Sequence, residues 1–182
     1  MKIEDFEVLN VSKDCLKQDG ENIVIRTSSG SMWSKGNTCR NLLLSPDVLT
    51  DLNAELSVQL LPENNAEQAG LILFADWDNY IKLVREMVSG EQVLVLAREI
   101  EGEAVPAIVE CFDSPIVHLK ICTIAGQLSV EWKSPGASSY TKRDFENWLG
   151  SDRKVKVGIF VHGANENNHA VFSSLKIQTL TP

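Results

Sequence analysis

From residue 6 to residue 179, apolar and polar residues alternate with a period of two, and turn-forming residues break the alternation at intervals of roughly 8–12 residues. Such a chain can bury apolar side chains on only one face of each extended segment, so it must pack sheet against sheet. Strands are expected at 6–10, 22–27, 41–45, 54–62, 69–75, 80–87, 92–100, 104–111, 116–124, 127–133, 154–162 and 170–179. Between them lie favourable turn compositions: DG at 19–20, SSG at 28–30, SG at 89–90, EGE at 101–103, AG at 125–126 and SPG at 134–136. Only TKRDFENWLGS, 141–151, reads as helical, with Phe145, Trp148 and Leu149 at i, i+3 and i+4 and Gly150 to end the turn. A dozen antiparallel strands suit a jelly-roll sandwich of two large sheets better than a small barrel or an immunoglobulin-like sandwich. No repeat, low-complexity tract or Pro/Ser-rich linker divides the chain, so a single domain over 1–182 is expected.

Composition removes several functions. With 43% apolar and 23% charged residues the chain is an ordinary globular one, and its net charge of -8 opposes nucleic acid and anionic membrane as partners. Acids at positions 4, 5 and 7 and the lack of a long apolar run after the first lysine do not fit a secretory signal, and the expected location is cytoplasmic. Cys15, Cys39, Cys111 and Cys122 form no C-x-x-C pair and have no histidine at finger spacing, so no metal, cofactor or redox motif is expected. Cys122 alternates within an apolar strand pattern and is expected as a small buried hydrophobe.

The stretch AGLILFADWDNYIKLVRE, 69–86, reads as a hairpin. With Asp76 to Asn79 as its loop, Ala75 faces Tyr80, Phe74 faces Ile81, Leu73 faces Lys82 and Ile72 faces Leu83. One face is then Ile72, Phe74, Ile81 and Leu83, a core face. The other carries Leu71, Leu73, Tyr80, Lys82 and Val84, too polar for an interior and too apolar for a solvated surface. A two-residue turn at Ser89 and Gly90 sets Leu83 opposite Leu96, Lys82 opposite Ala97 and Tyr80 opposite Glu99. A ring beside a cation and a carboxylate suits a polyol, whose C–H faces pack on rings while its hydroxyls take directional hydrogen bonds. A cross-strand ion pair beside a surface tyrosine is the plainer alternative.

At this hairpin the chain resembles a known family. EQAGLILFADWDNYIKL, 67–83, is similar to the signature of the DUF1349 family and of the related concanavalin A-like domain at the C-terminus of family 43 β-xylosidases. TSSGSMWSK at 27–35, HLKICTIAGQLSVEWKSPG at 118–136 and VKVGIFVHG with AVFSSLKI near the C-terminus resemble further family segments, so the likeness spans nearly the whole chain. It implies a concanavalin A-like two-sheet sandwich with a concave face, found as a glycosidase accessory or standing alone. Trp33, Asp78, Asn79 and Tyr80 match the family pattern, and none is a catalytic group there. The family's Ser-x-Asp-Gly turn has no counterpart in SPGASSY, which lacks the Asp.

Catalysis finds little support. The E-x-D-x-x-E strand motif of related glucanases is absent, and Glu99, Glu101 and Glu103 of REIEGE run into a glycine turn rather than forming an assigned carboxylate pair. His118, His162 and His169 have no G-x-S-x-G partner, and GANENN, 163–168, reads as a solvated hairpin loop despite its metal-capable oxygens. Trp132 belongs to the core by alternation, and Trp148 is expected to pin the short helix. The expected function is therefore a non-catalytic carbohydrate-binding or glycosidase-associated protein. Trp33, Trp77 and Tyr80 would be its stacking surfaces, and Lys82, Arg85 and Glu99 its hydrogen-bonding groups on the concave face. Arg85 falls, by the pairing count, with the core face. The alternatives are a cytoplasmic interaction or regulatory protein, or a homodimer, using the same face; a glycoside hydrolase ranks below both.

Overall fold

A computed structural model describes residues 1–146 and 153–180. The strands are β1 (Glu7–Leu9), β2 (Leu16–Asp19), β3 (Asn22–Arg26), β4 (Leu42–Leu44), β5 (Leu52–Gln59), β6 (Gln68–Asp76), β7 (Asn79–Val88), β8 (Glu91–Ile100), β9 (Glu103–Cys111), β10 (Ile116–Ile124), β11 (Gln127–Lys133), β12 (Thr141–Glu146), β13 (Lys156–His162) and β14 (His169–Thr179). They form two seven-stranded antiparallel sheets. The first runs β1-β4-β13-β6-β7-β8-β9 and the second β12-β11-β10-β5-β14-β3-β2. This is the expected two-sheet concanavalin A-like sandwich, with every expected strand present and two more, β2 and β12, added.

Residues 141–146 form a strand, not the expected helix. Thr141 to Glu146 pair residue for residue with β11, from Trp132↔Thr141 to Gln127↔Glu146, and Phe145 packs on the main core. Continuous backbone pairing with β11, with Phe145 as the one half-buried side chain, overrides the weak i, i+3 signal. The rest of that segment, Trp148 included, lies outside the described residues. Strand β2 was hidden because LKQD buries little, yet the turn at Gly20 folds it back on β3.

Turn chemistry sets the registers. The two-residue loops Ser89-Gly90, Glu101-Gly102 and Ala125-Gly126 all have positive φ at both positions, the twist that closes a tight hairpin. The β7–β8 register follows as expected, with Tyr80↔Glu99, Lys82↔Ala97 and Leu83↔Leu96. The β6–β7 register does not. The Asp76 carboxylate accepts hydrogen bonds from the Asp78 N–H (2.9 Å) and Asn79 Nδ2 (2.7 Å), which tightens the turn to Trp77 and Asp78 and leaves an irregularity at Ala75. Phe74 therefore faces Tyr80, and Ile72 faces Lys82. Leu71 and Leu73, not Ile72 and Phe74, join Ile81 and Leu83 in the core between the sheets.

That main core is filled from the second sheet by Ile23, Leu56, Val58, Leu119, Ile121, Val130, Trp132 and Phe172, among others. Cys122 has the opposite parity and faces outward, half-buried, opposite Asn53 and Ser129. The four cysteines are free. Edge strands are blunted: β12 is charged, β1 and β2 are short, and β9 carries Pro106 beside an irregular register.

A second cluster lies on the outer face of the first sheet. Residues 27–41, which carry the chain from β3 in one sheet to β4 in the other, press Met32 and Cys39 onto Ile72, Phe74, Tyr80, Val84, Val93, Val95, Ala97 and Phe160. Beneath this layer, glycine permits the close approach of β6 and β7. A Cβ at Gly70 would lie 2.2 Å from the Leu83 carbonyl oxygen and 2.8 Å from Val84 Cα, both in the backbone of β7. Gly70→Ala is expected to lower unfolding free energy by about 3 kcal/mol, the upper part of the range for overpacking. Urea denaturation checks this, and a loss below about 1 kcal/mol would contradict the close approach.

Candidate functional site

The outer face of the first sheet can be written as rows of cross-strand neighbours. One row is Phe74, Tyr80 and Glu99; the next is Gly158, Ile72, Lys82 and Ala97; another, four residues further along, is His162, Gln68, Glu86 and Val93. The expected cluster of Tyr80, Lys82 and Glu99 is thus real. Its exposure is not: Tyr80 and Lys82 are each 1% exposed and Glu99 is 0% exposed. Residues 27–41 roof them over.

The roof is held by polar contacts. Glu99 Oε2 accepts hydrogen bonds from the Tyr80 hydroxyl (2.6 Å) and the Ser34 N–H (2.6 Å), and Oε1 accepts one from Asn37 Nδ2 (3.0 Å). Burial, then the bond to Glu99, pushes the Tyr80 phenol above its ordinary range. Lys82 Nζ donates to the Met32 carbonyl oxygen (2.9 Å) and Gln68 Oε1 (2.7 Å) and sits 5.1 Å from the centroid of the Trp33 ring. Burial draws its ammonium down to about 8, against the favourable fields of Glu86, Cys39 and Glu99. Burial also lifts the Cys39 thiol to about 12 and raises the Glu86 carboxyl, partly offset in both cases by Lys82. His162, at the end of the same face, is drawn down to about 4 by burial and by Lys82.

Arg85 belongs elsewhere. Opposite Leu94, it points between the sheets, where it donates to Gln92 Oε1 and the Val93 carbonyl oxygen and lies over Phe112, and burial draws it down to about 10. Its Nε has no hydrogen-bond partner among the described residues. It shares no surface with Lys82.

The two expected ring platforms reach solvent at the rim. Trp33 is 43% exposed. Trp77 is half-buried, edge-on to Phe74 at 5.3 Å. Three loops meet here: Asn37 Nδ2 donates to the Trp77 carbonyl oxygen (2.5 Å), the Gly102 N–H to the Asp78 carbonyl oxygen (3.0 Å) and the Glu101 N–H to Asn79 Oδ1 (3.2 Å). Beside them, a hollow of about 520 Å³ is lined by Lys35, Arg98, Ile100, Glu101, Glu103 and Val105. Sequence reasoning missed Asn37, Gln68, Cys39, Glu86 and His162. Gln68, Glu86 and His162 could have been found by extending the strand parity along the sheet. The roles of Asn37 and Cys39 depend on the irregular path of the roof, which leaves no periodic trace.

The loop at 163–168 is built into the structure rather than merely solvated. Asn168 Nδ2 donates to the Leu61 carbonyl oxygen (2.9 Å) and Glu67 Oε2 (3.2 Å), and Asn165 Nδ2 to Glu63 Oε2 (2.8 Å). Glu67, fully buried, also accepts from the Glu63 N–H (2.6 Å), so its carboxylate is filled by donors from the chain itself.

His162 yields a pH prediction. Its folded value of about 4 lies below the ordinary 6.5, so the unfolded chain binds the extra proton, and stability is lost as pH falls from 6.5 to 4. The loss is expected to reach about 3 kcal/mol. His162→Gln should flatten stability against pH in that window, read by urea denaturation; an unchanged slope would refute the assignment.

The family model of the β-xylosidase C-terminal concanavalin A-like domain matches residues 27–178. Among solved structures, a functionally unknown protein of Saccharomyces cerevisiae aligns over 100% of both chains at 15% identity and a TM-score of 0.81. The family 43 glycoside hydrolase BlXynB of Bacillus licheniformis aligns over 97% of this chain at 13% identity and a TM-score of 0.83, but over only 37% of its own length. The carbohydrate binding module CBM66 of Bacillus subtilis aligns over 96% of both at 15% identity and a TM-score of 0.67. Comparison with curated protein sequences gives no match. At these identities the structural likenesses establish fold, and the chain spans little more than a third of the hydrolase BlXynB. On the strength of the sequence match, this chain belongs to the family of β-xylosidase C-terminal concanavalin A-like domains.

Proposed function

We propose that the protein is a non-catalytic carbohydrate-binding module and that its ligand docks at the rim formed by residues 33–37, 76–79 and 100–103, not on the sheet face beneath. The observation that carries this reading is Trp33: a large ring, 43% exposed, buttressed from the protein side by the buried Lys82 ammonium. A ring fixed in place before the ligand arrives loses little freedom on binding, which suits stacking against a sugar. Lys35, Asp78 and Glu101 supply exposed donors and acceptors on the same loops. A Cβ added at Gly102 would lie 2.9 Å from Lys35 Cγ and 3.3 Å from Asp78 Oδ1, so these side chains converge. Tyr80 and Glu99 then act as the support of the site, and Arg85 has no part in it. The likeness to a carbohydrate binding module and to a hydrolase-linked domain supports this reading.

The test is calorimetric titration and tryptophan fluorescence with a panel of mono- and oligosaccharides, xylo-oligosaccharides included. Trp33→Ala is expected to weaken binding about tenfold or more, on the order of 1.4 kcal/mol. Lys142→Ala, on the exposed far edge strand, should leave binding unchanged. If no sugar binds the folded parent at millimolar concentration, the carbohydrate reading falls, and a protein partner becomes the better account of the rim.

A further inference from the structure

Residues 31–40 do not pack like an ordinary connection. The N–H groups of Thr38 and Cys39 both return to the Ser31 carbonyl oxygen (3.0 and 3.1 Å), which closes the segment into a compact loop with positive φ at Ser34 and Gly36. Both ends are tethered. The Thr27 N–H donates to the Asn168 carbonyl oxygen (2.9 Å), and Asn10 Nδ2 donates to the Cys39 carbonyl oxygen (3.0 Å). Asn41 exchanges two hydrogen bonds with the backbone of Ser12. Between these tethers the loop is held down at Ser34 and Asn37, on Glu99, and at Met32, on Lys82.

Lys82 is the unusual one of these anchors. It is 1% exposed, it donates to a neutral carbonyl and a neutral amide, and no carboxylate forms an ion pair with it among the described residues. A buried cation without an ion pair raises the energy of the closed state, and opening the loop returns it to water. We propose that residues 31–40 are a lid over the buried cluster of Tyr80, Lys82 and Glu99, and that its opening returns Lys82 to water and is governed by pH.

The sign follows from linkage. Closed, Lys82 titrates at about 8; open, at its ordinary 10.5, so opening binds a proton between those values and becomes less favourable as pH rises through them. The other titratable groups facing Lys82 are Tyr80 and Glu86 on β7, Glu99 on β8, Cys39 in the lid and His162 on β13. From pH 7 to 9 His162, drawn down to about 4, and Tyr80, pushed above its ordinary range, keep their charge state. Only Cys39 competes. Released from about 12 to its ordinary 9, it favours opening about twofold at pH 9.

Cys39, 0% exposed at the end of the lid, is also the reporter. Its rate of modification by methyl methanethiosulfonate, read by peptide mass spectrometry and divided by the rate for an unfolded peptide of residues 31–41, gives the opening constant. That constant is expected to fall about fivefold from pH 7 to 9, the tenfold effect of Lys82 halved by Cys39. It should not respond to low urea. In Lys82→Met it should instead rise about twofold over the same range. An opening constant in the parent that is flat or rising, or one equal to global unfolding in its urea dependence, would overturn the lid. Should Lys82→Met fail to fold, the parent still decides: a side-chain NMR titration placing Lys82 near 10.5 refutes the proposal, and a midpoint well below that supports it. Neither readout uses a sugar, so the lid and the carbohydrate reading stand or fall separately.

Discussion

A carboxylate removed from water must find donors in the protein, and Glu99 finds three: a phenol, a side-chain amide and a backbone N–H. The rest of the outer layer depends on this. The backbone donor belongs to Ser34, in a loop that would otherwise cross the sheet with its polar groups in solvent. With Ser34 and Asn37 fixed, Met32 and Cys39 come down onto Ile72, Phe160 and Val84, and the first sheet acquires a second apolar cluster on the face away from the sandwich interior. Both of its faces are then largely covered. β7 reads YIKLVR with little polar relief because each of those six residues is buried, the ionisable Lys82 included.

Under the proposed function, this arrangement moves the binding surface from the sheet to its rim. Polar side chains on an open sheet face would meet a ligand directly, but here they meet the chain's own loop. What they present to solvent is an oriented tryptophan and the tight turns on either side of it. Lys82 links the two levels, since it holds the Met32 carbonyl below and the Trp33 ring above. Sheet and rim are thus joined through Lys82 and Glu99, and a change at either residue alters the rim.

The sequence showed the sandwich clearly because period-two alternation and positive-φ turns are local signals. The Ser89-Gly90 turn was enough to pair Tyr80 with Glu99 correctly. The preceding turn was not readable in the same way: Asp76 accepts two local hydrogen bonds and shortens the loop, and a shift of one residue moved Ile72 and Phe74 to the opposite face. Residues 141–146 misled because one aromatic on an edge strand fits a helical spacing as easily as a strand one. The roof over Tyr80 was beyond reach for a different reason. Residues 27–41 have no period, and their position depends on contacts with residues more than forty positions away, such as Lys82 and Glu99.

The most direct test of a rim site above a sealed face is the set of tryptophan indole N–H resonances during titration with a binding oligosaccharide. Trp33 should shift strongly, with a smaller change at Trp77, while Trp132, in the core between the sheets, stays fixed. If Trp132 moves as much as Trp33, or if Trp33 stays fixed while the sugar binds, the ligand does not dock at the rim and the account of the site is wrong.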